Sequence, residues 1–145
     1  MTNLETTTVF VYGTLRTNHS NWRNFLAPAR GVTATTAPKY TMREWGGFPA
    51  VYANGETAIT GEIFAADHET LAHLDRLENH PNWYKREEIE VTDSDGNTVT
   101  AWMYVMPQSK TQGEVIESGD WNDTIHTLYI GTPQSGALVP YPYGC

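Results

Sequence analysis

The sequence predicts an α+β fold, a small, mixed, largely antiparallel β-barrel with flanking helices. Three observations predict it. Apolar and β-branched runs recur at strand length along most of the chain. Asn54-Gly55 and Asp95-Gly96, each between such runs, read as hairpin turns. Helical periodicity is firm in one segment, 67–80, and short in two others. About six strands joined by hairpins, with few helices, suit a closed or nearly closed sheet with the helices outside it.

Taken in order, TTTVFVYGTL reads as a buried strand, with Val9, Phe10, Val11 and Tyr12 ahead of Gly13. SNWRNFLA reads as a short helix that Ser20 or Asn21 can cap, with Trp22, Phe25 and Leu26 on one side. From Arg30 to Trp45 the β-branched content indicates one or two strands. GGFPAVYANGETAITGEIFAA reads as a hairpin turning at Asn54-Gly55, with Pro49 placing its first strand at an edge or break. DHETLAHLDRLENH is the clearest helix: Asp67 caps it, Leu71, Leu74 and Leu77 form its stripe, and Pro81 closes it. WYKREEIEV and TVTAWMYVM are two strands turning at Asp95-Gly96. DWNDTIHTLYIG reads as a last short helix, followed by a Pro- and Gly-rich tail.

A length of 145 residues fits one domain with a real core, and 39% hydrophobic with 12% aromatic content argues against disorder. The formal charge of −8 disfavours nucleic-acid polymers, so any pocket for a small anion has to be built locally. No apolar run reaches the roughly 18 residues a membrane span needs. MTNLETTT has neither the basic patch nor the apolar core of a secretory signal, and the lone Cys145 can form no intrachain disulfide. Both fit a cytoplasmic setting. Nothing in the pattern specifies an oligomeric state.

The residues that can carry chemistry are few. Glu78 follows Leu74 by four and Leu71 by seven, so it shares their apolar face. Burial raises a carboxylate's pKa and suits it to proton transfer; the alternative is a helix-end carboxylate turned to solvent. Asp75, one turn earlier, is expected to be an exposed helix residue. Gly13, Thr14 and Leu15 follow a buried strand directly. Successive backbone N–H groups there form either an anion nest or an ordinary tight turn. The spacings of the common nucleotide loops are absent, as are G-x-S-x-G and any metal-binding histidine spacing among His19, His68, His73, His80 and His126. Tyr84 and Arg86 are expected on one strand face.

The ordered set VYGTLR (11–16), GGFPAV (46–51), TGEIF (60–64), LDRLENHPNWYKRE (74–87), AWMYV (101–105) and IESGDW (116–121) resembles the γ-glutamyl cyclotransferase-like family, in particular its AIG2-like, γ-glutamylamine cyclotransferase branch. The likeness spans about residues 8–122 of a single domain over 1–145, leaving 123–145 as a C-terminal extension. It implies a small mixed barrel with a pocket at one end and an intramolecular aminolysis. The α-amine of a γ-glutamyl group attacks its γ-carbonyl, forming 5-oxoproline and releasing an amine or amino acid, with no metal or organic cofactor.

The resemblance assigns the glycine loop to Tyr12, Gly13, Thr14 and Leu15, whose N–H groups bind the substrate's anionic end. It assigns the catalytic glutamate to Glu78, and substrate-side positions to Tyr84, Arg86 and Tyr104. The expected partner is a small-molecule γ-glutamyl compound or another small anion. A non-catalytic module holding a small anionic metabolite or nucleotide in the same pocket is the competing expectation. A partner-binding domain using the tail, whose Tyr141 and Tyr143 could also cap a ligand, is a third.

Overall fold

The computed structural model describes residues 5–121. The sequence-predicted helix at 120–131 and the tail, with Tyr141, Tyr143 and Cys145, lie outside them beyond Trp121. The described residues form a closed five-stranded barrel beside a three-stranded sheet.

In chain order these are β1 (Thr6–Val11), α1 (Trp22–Phe25), β2 (Val32–Thr36), β3 (Tyr40–Glu44), β4 (Pro49–Thr57), β5 (Thr60–Asp67), α2 (His68–Leu77), β6 (Lys85–Asp93), β7 (Thr98–Val105) and β8 (Glu114–Val115). The barrel runs β1-β5-β2-β6-β7, and the smaller sheet β4-β3-β8. The barrel pairings are antiparallel except for β1 with β7, which is parallel and closes it at Val9 and Trp102. Val9, Phe10 and Val11 are completely buried because β1 is paired on both edges and covered on both faces.

The expected hairpin at Asn54-Gly55 is corrected. Both residues lie inside β4, whose partner is β3, while β5 leaves to pair with β1 and β2. The register jumps there, with Thr41 opposite Tyr52 but Tyr40 opposite Thr57, so residues 53–56 bulge out. Thr41 Oγ1 donates to the Asn54 carbonyl at 2.7 Å, and a Cβ on Gly55 would overlap the Thr41 hydroxyl and the Tyr40 backbone. The Asn-Gly signal thus marks a kink, and at Ala58 and Ile59 the chain leaves the small sheet for the barrel. The Asp95-Gly96 turn forms as expected, with Gly96 at φ 87°.

Helix α2 begins and ends by local rules. Asp67 Oδ1 accepts from the Thr70 N–H at 2.8 Å, which satisfies one of the orphan first-turn donors. Asn79, at φ 56°, takes the left-handed position that stops the helix. The His80 N–H bonds back to the Asp75 carbonyl at 2.9 Å and the Asn79 N–H to Arg76 at 3.2 Å. This paired closure makes Glu78 the C-terminal cap. Helix α1 is only four residues long, and Asn21 at its cap position makes no side-chain cap; its amide donates to Thr14 Oγ1 instead.

Gly61 on β5 lies against β1. A Cβ there would overlap the Val11 carbonyl and come within 2.8 Å of the Phe10 ring. We expect Gly61→Ala to destabilise the barrel by about 1–3 kcal/mol through overpacking. Urea unfolding should show a lower midpoint with an unchanged slope.

Candidate active site

The first half of the site is the turn that leaves β1. The Arg16 N–H donates to the Gly13 carbonyl at 3.0 Å, and the His19 N–H to the Arg16 carbonyl at 2.9 Å. Asn18, third in the Arg16–His19 turn, sits at φ 73°, a left-handed position that Asn tolerates better than most residues. The Thr14 carbonyl accepts from the Asn21 and Trp22 N–H groups at 3.0 and 3.1 Å, tying the loop to the start of α1. Gly13, Thr14 and Leu15 are all buried. The Gly13 and Leu15 N–H groups have no acceptor among the described residues. Successive N–H groups of this kind can receive an acceptor from outside the loop.

The second half is the end of α2. Glu78 is completely buried. Its N–H donates to the Leu74 carbonyl at 2.9 Å, and its own carbonyl accepts from the Tyr84 N–H at 3.3 Å. The chain therefore doubles back immediately after the acid.

A chain of hydrogen bonds links the two halves. The Tyr12 hydroxyl donates to the Tyr104 carbonyl at 2.7 Å, a contact that the parallel β1–β7 seam makes possible. The Tyr104 hydroxyl donates to Asp75 Oδ1 at 2.6 Å, and Asp75 stands three residues before Glu78 on α2. Arg86 donates to the same carboxylate through Nε to Oδ1 at 2.8 Å and through Nη2 to Oδ2 at 3.1 Å. The guanidinium also lies 4.4 Å from the centre of the Trp102 ring.

Asp75 is thus corrected from an exposed helix residue to the junction of α2 with β6 and β7. Periodicity places it on the flank of the apolar stripe; only the docking of α2 brings Arg86 and Tyr104 to it. An aspartate one turn before the buried acid and eleven residues before an arginine was the available signal.

The remaining positions serve the frame. Tyr84 is completely buried, and its hydroxyl donates to the Pro49 carbonyl at 2.9 Å, pinning the start of β4. Tyr84 precedes β6 and contacts the small sheet, whereas Arg86 faces α2, so the expected shared strand face does not bring their polar groups together. Arg16, buried, and Glu62 and Asp120, half-buried, come from three of the quoted motifs and form a further charged cluster that spacing alone does not reveal. Among the described residues no three His, Cys, Asp or Glu side chains are grouped to hold a metal ion, and no helix is long and apolar enough to cross a membrane.

Partial burial alone would push the Asp75 carboxyl up. Hydrogen bonds from Arg86 and Tyr104, with the Arg86 charge, outweigh it and hold the carboxyl below the ordinary carboxylate value. The same pair raises Arg86. A carboxyl depressed in the folded state adds stability above its unfolded value, near pH 3.9, and loses it as pH falls through the folded value. We expect Asp75→Asn to lower Tm at pH 7 and to flatten the acid limb, so that the gap from wild type narrows below about pH 4. Thermal melts from pH 7 to pH 2 measure this.

The family model for "Gamma-glutamyl cyclotransferase, AIG2-like" matches residues 9–123. The chain is 34% identical over 116 residues to the Escherichia coli K12 protein named gamma-glutamylcyclotransferase family protein YtfP, covering 79% of this chain and 96% of that one. Among solved structures, YkqA from Bacillus subtilis superposes with a TM-score of 0.68 at 27% identity, over 89% of this chain and 44% of that one. An AIG2-like protein of Mus musculus gives a TM-score of 0.62 over 70% of this chain and 78% of its own, and at 24% identity it bears on the fold alone. The family model over residues 9–123 and the relative at 34% identity show that the chain belongs to the gamma-glutamyl cyclotransferase, AIG2-like family.

Proposed function

We propose that the protein is a cofactor-independent γ-glutamyl cyclotransferase, with Glu78 as the proton carrier and the Gly13–Leu15 amides as the seat of the substrate's anionic end. The observation that carries this reading is the placement of Glu78. A carboxylate is among the side chains least often fully buried. At a helix C-terminus it also stands against the helix dipole. Helix α2 obeys its capping rules everywhere else, so a local violation at this one residue points to use rather than to stability.

The proposed reaction needs little machinery. The α-ammonium of the γ-glutamyl group gives its proton to the Glu78 carboxylate, and the free amine attacks the γ-carbonyl carbon. A carbon–nitrogen bond forms within the five-membered ring as the bond to the leaving nitrogen breaks. Glu78 returns the proton to that nitrogen and takes the second proton that the attacking nitrogen must shed, passing it to the departing amine, so 5-oxoproline and an ammonium or amino acid leave with the carboxylate restored. Nucleophile and carbonyl are already tethered, which supplies most of the proximity effect. Tyr12, Tyr104, Tyr84 and Arg86 act by holding the loop and the helix end in register. The lone cysteine and the absence of a long apolar helix among the described residues support placing the reaction in the cytoplasm.

Glu78→Gln keeps size and hydrogen-bonding capacity but cannot carry the proton. We expect release of 5-oxoproline, assayed across a panel of γ-glutamyl amino acids and γ-glutamylamines, to fall by about 10²–10⁴-fold in that variant. Binding of the wild type's substrate should be retained. Undiminished turnover removes Glu78 as the proton carrier. Ligand-dependent thermal stabilisation of the wild type with no 5-oxoproline from any member of the panel favours a binding module instead.

A further inference from the structure

Two of the motifs shared with the family, TGEIF and IESGDW, take no part in the reaction proposed above, yet their acids meet the last residue of VYGTLR. Arg16 is 5% exposed. Its Nη1 donates to Asp120 Oδ1 at 2.8 Å, across 104 residues of chain, and its Nε lies 3.9 Å from Glu62 Oε2. Glu62 grips the adjoining residue as well: its Oε1 accepts from the Thr17 N–H at 2.9 Å and from the Thr17 hydroxyl at 2.8 Å. The Gly31 N–H donates in turn to that hydroxyl at 3.0 Å.

Both acids are anchored independently of the loop. Glu62 belongs to β5, opposite Val11 and Thr33. Asp120 lies between Gly119, whose carbonyl accepts from the Thr60 N–H at 2.9 Å, and Trp121, whose indole N–H donates to Glu44 at 3.1 Å. The Arg16 N–H closes the Gly13 turn itself. One residue thus joins the turn, through its backbone, to Asp120, through its side chain.

We propose that Arg16 is a positioning residue for anion binding, locked by Asp120 and Glu62 so that the Gly13–Leu15 amides hold the geometry that receives the substrate's anionic end. The inference rests on the reading given under Proposed function. Its physical content is a division of labour. One buried cation shared by two carboxylates has its charge matched within the fold. It shapes the nest, while the amides and their dipoles meet the ligand. The single charge-assisted hydrogen bond from Nη1 to Asp120 fixes the direction of the guanidinium, and Glu62 adds its charge from 3.9 Å.

The test uses the full-length chain with Asp120→Ala and the milder Asp120→Asn, which keeps an acceptor for Arg16. Two measurements are made on each: KM and kcat on whichever γ-glutamyl compound the wild type turns over, and amide exchange by residue. For Asp120→Ala we expect KM to rise about tenfold with kcat within about twofold of wild type, and Asp120→Asn to fall between. Exchange should quicken at Arg16, Thr17 and His19 and stay unchanged at Val9 and Phe10 in the β1 ladder.

An unchanged KM with unchanged loop exchange overturns the proposal. So does a fall in kcat at constant KM, and so does faster exchange at Val9 and Phe10 matching that in the loop, which would make the pair a general stabiliser. A wild type that yields no 5-oxoproline overturns the proposed reaction alone; exchange at Arg16, Thr17 and His19 in the two variants still decides whether the pair positions the loop.

Discussion

The seam between β1 and β7 is the constraint on which the rest depends. β1 is the first strand of the chain, antiparallel to β5 on one edge and parallel to β7 on the other. Without the parallel contact at Val9 and Trp102 the five strands would remain an open sheet with a bare apolar edge. With it, Val9, Phe10 and Val11 lose all exposure, and the residues that follow must emerge at one end of the barrel. The same seam puts the Tyr12 hydroxyl on the Tyr104 carbonyl. Barrel closure and site assembly are thus one event.

Two ion clusters then flank the candidate site, each pairing an arginine with an aspartate from a different element or loop. Asp75 with Arg86 docks α2 on β6 and β7, and Arg16 with Asp120 ties the glycine loop to the end of the described chain. Both pairs are sheltered, so they escape much of the solvent screening that makes surface ion pairs weak. In a chain of net charge −8, the proposed seat for an anion is built locally between such pairs. Arg16 and Arg86 are each paired with an aspartate within the fold, and in the proposed reading the ligand's anionic end meets backbone amides, which carry dipole but no titratable charge.

The local part of this design was legible in the sequence. Helix α2, its Asp67 cap, the β6–β7 hairpin with its Asp95-Gly96 turn and the buried β1 all follow from spacing and turn chemistry, because their bonding partners are near in sequence. Asn54-Gly55 misled for a physical reason. The dipeptide permits a reversal without requiring one, and β5 has better partners in β1 and β2 than in β4. The two-residue β8 carries too little pattern to be seen before β3 offers it an edge. The four-residue α1 is shorter than its apolar spacing suggested, since Asn21 turns to Thr14 rather than capping it.

The candidate site divides in the same way. Composition and spacing determined that Glu78 shares a helix face with leucines and that Gly13 breaks a buried strand, and the order of short motifs pointed to the family. Tertiary structure alone decided that Asp75 is a junction, that Tyr84 reaches Pro49 and that Arg16 meets acids 46 and 104 residues further on. Those contacts join segments that no periodicity relates, and their charges become neighbours only when the barrel closes and α2 docks. Sequence spacing reports which side of an element a residue occupies. What stands opposite it is determined by the packing of the whole chain.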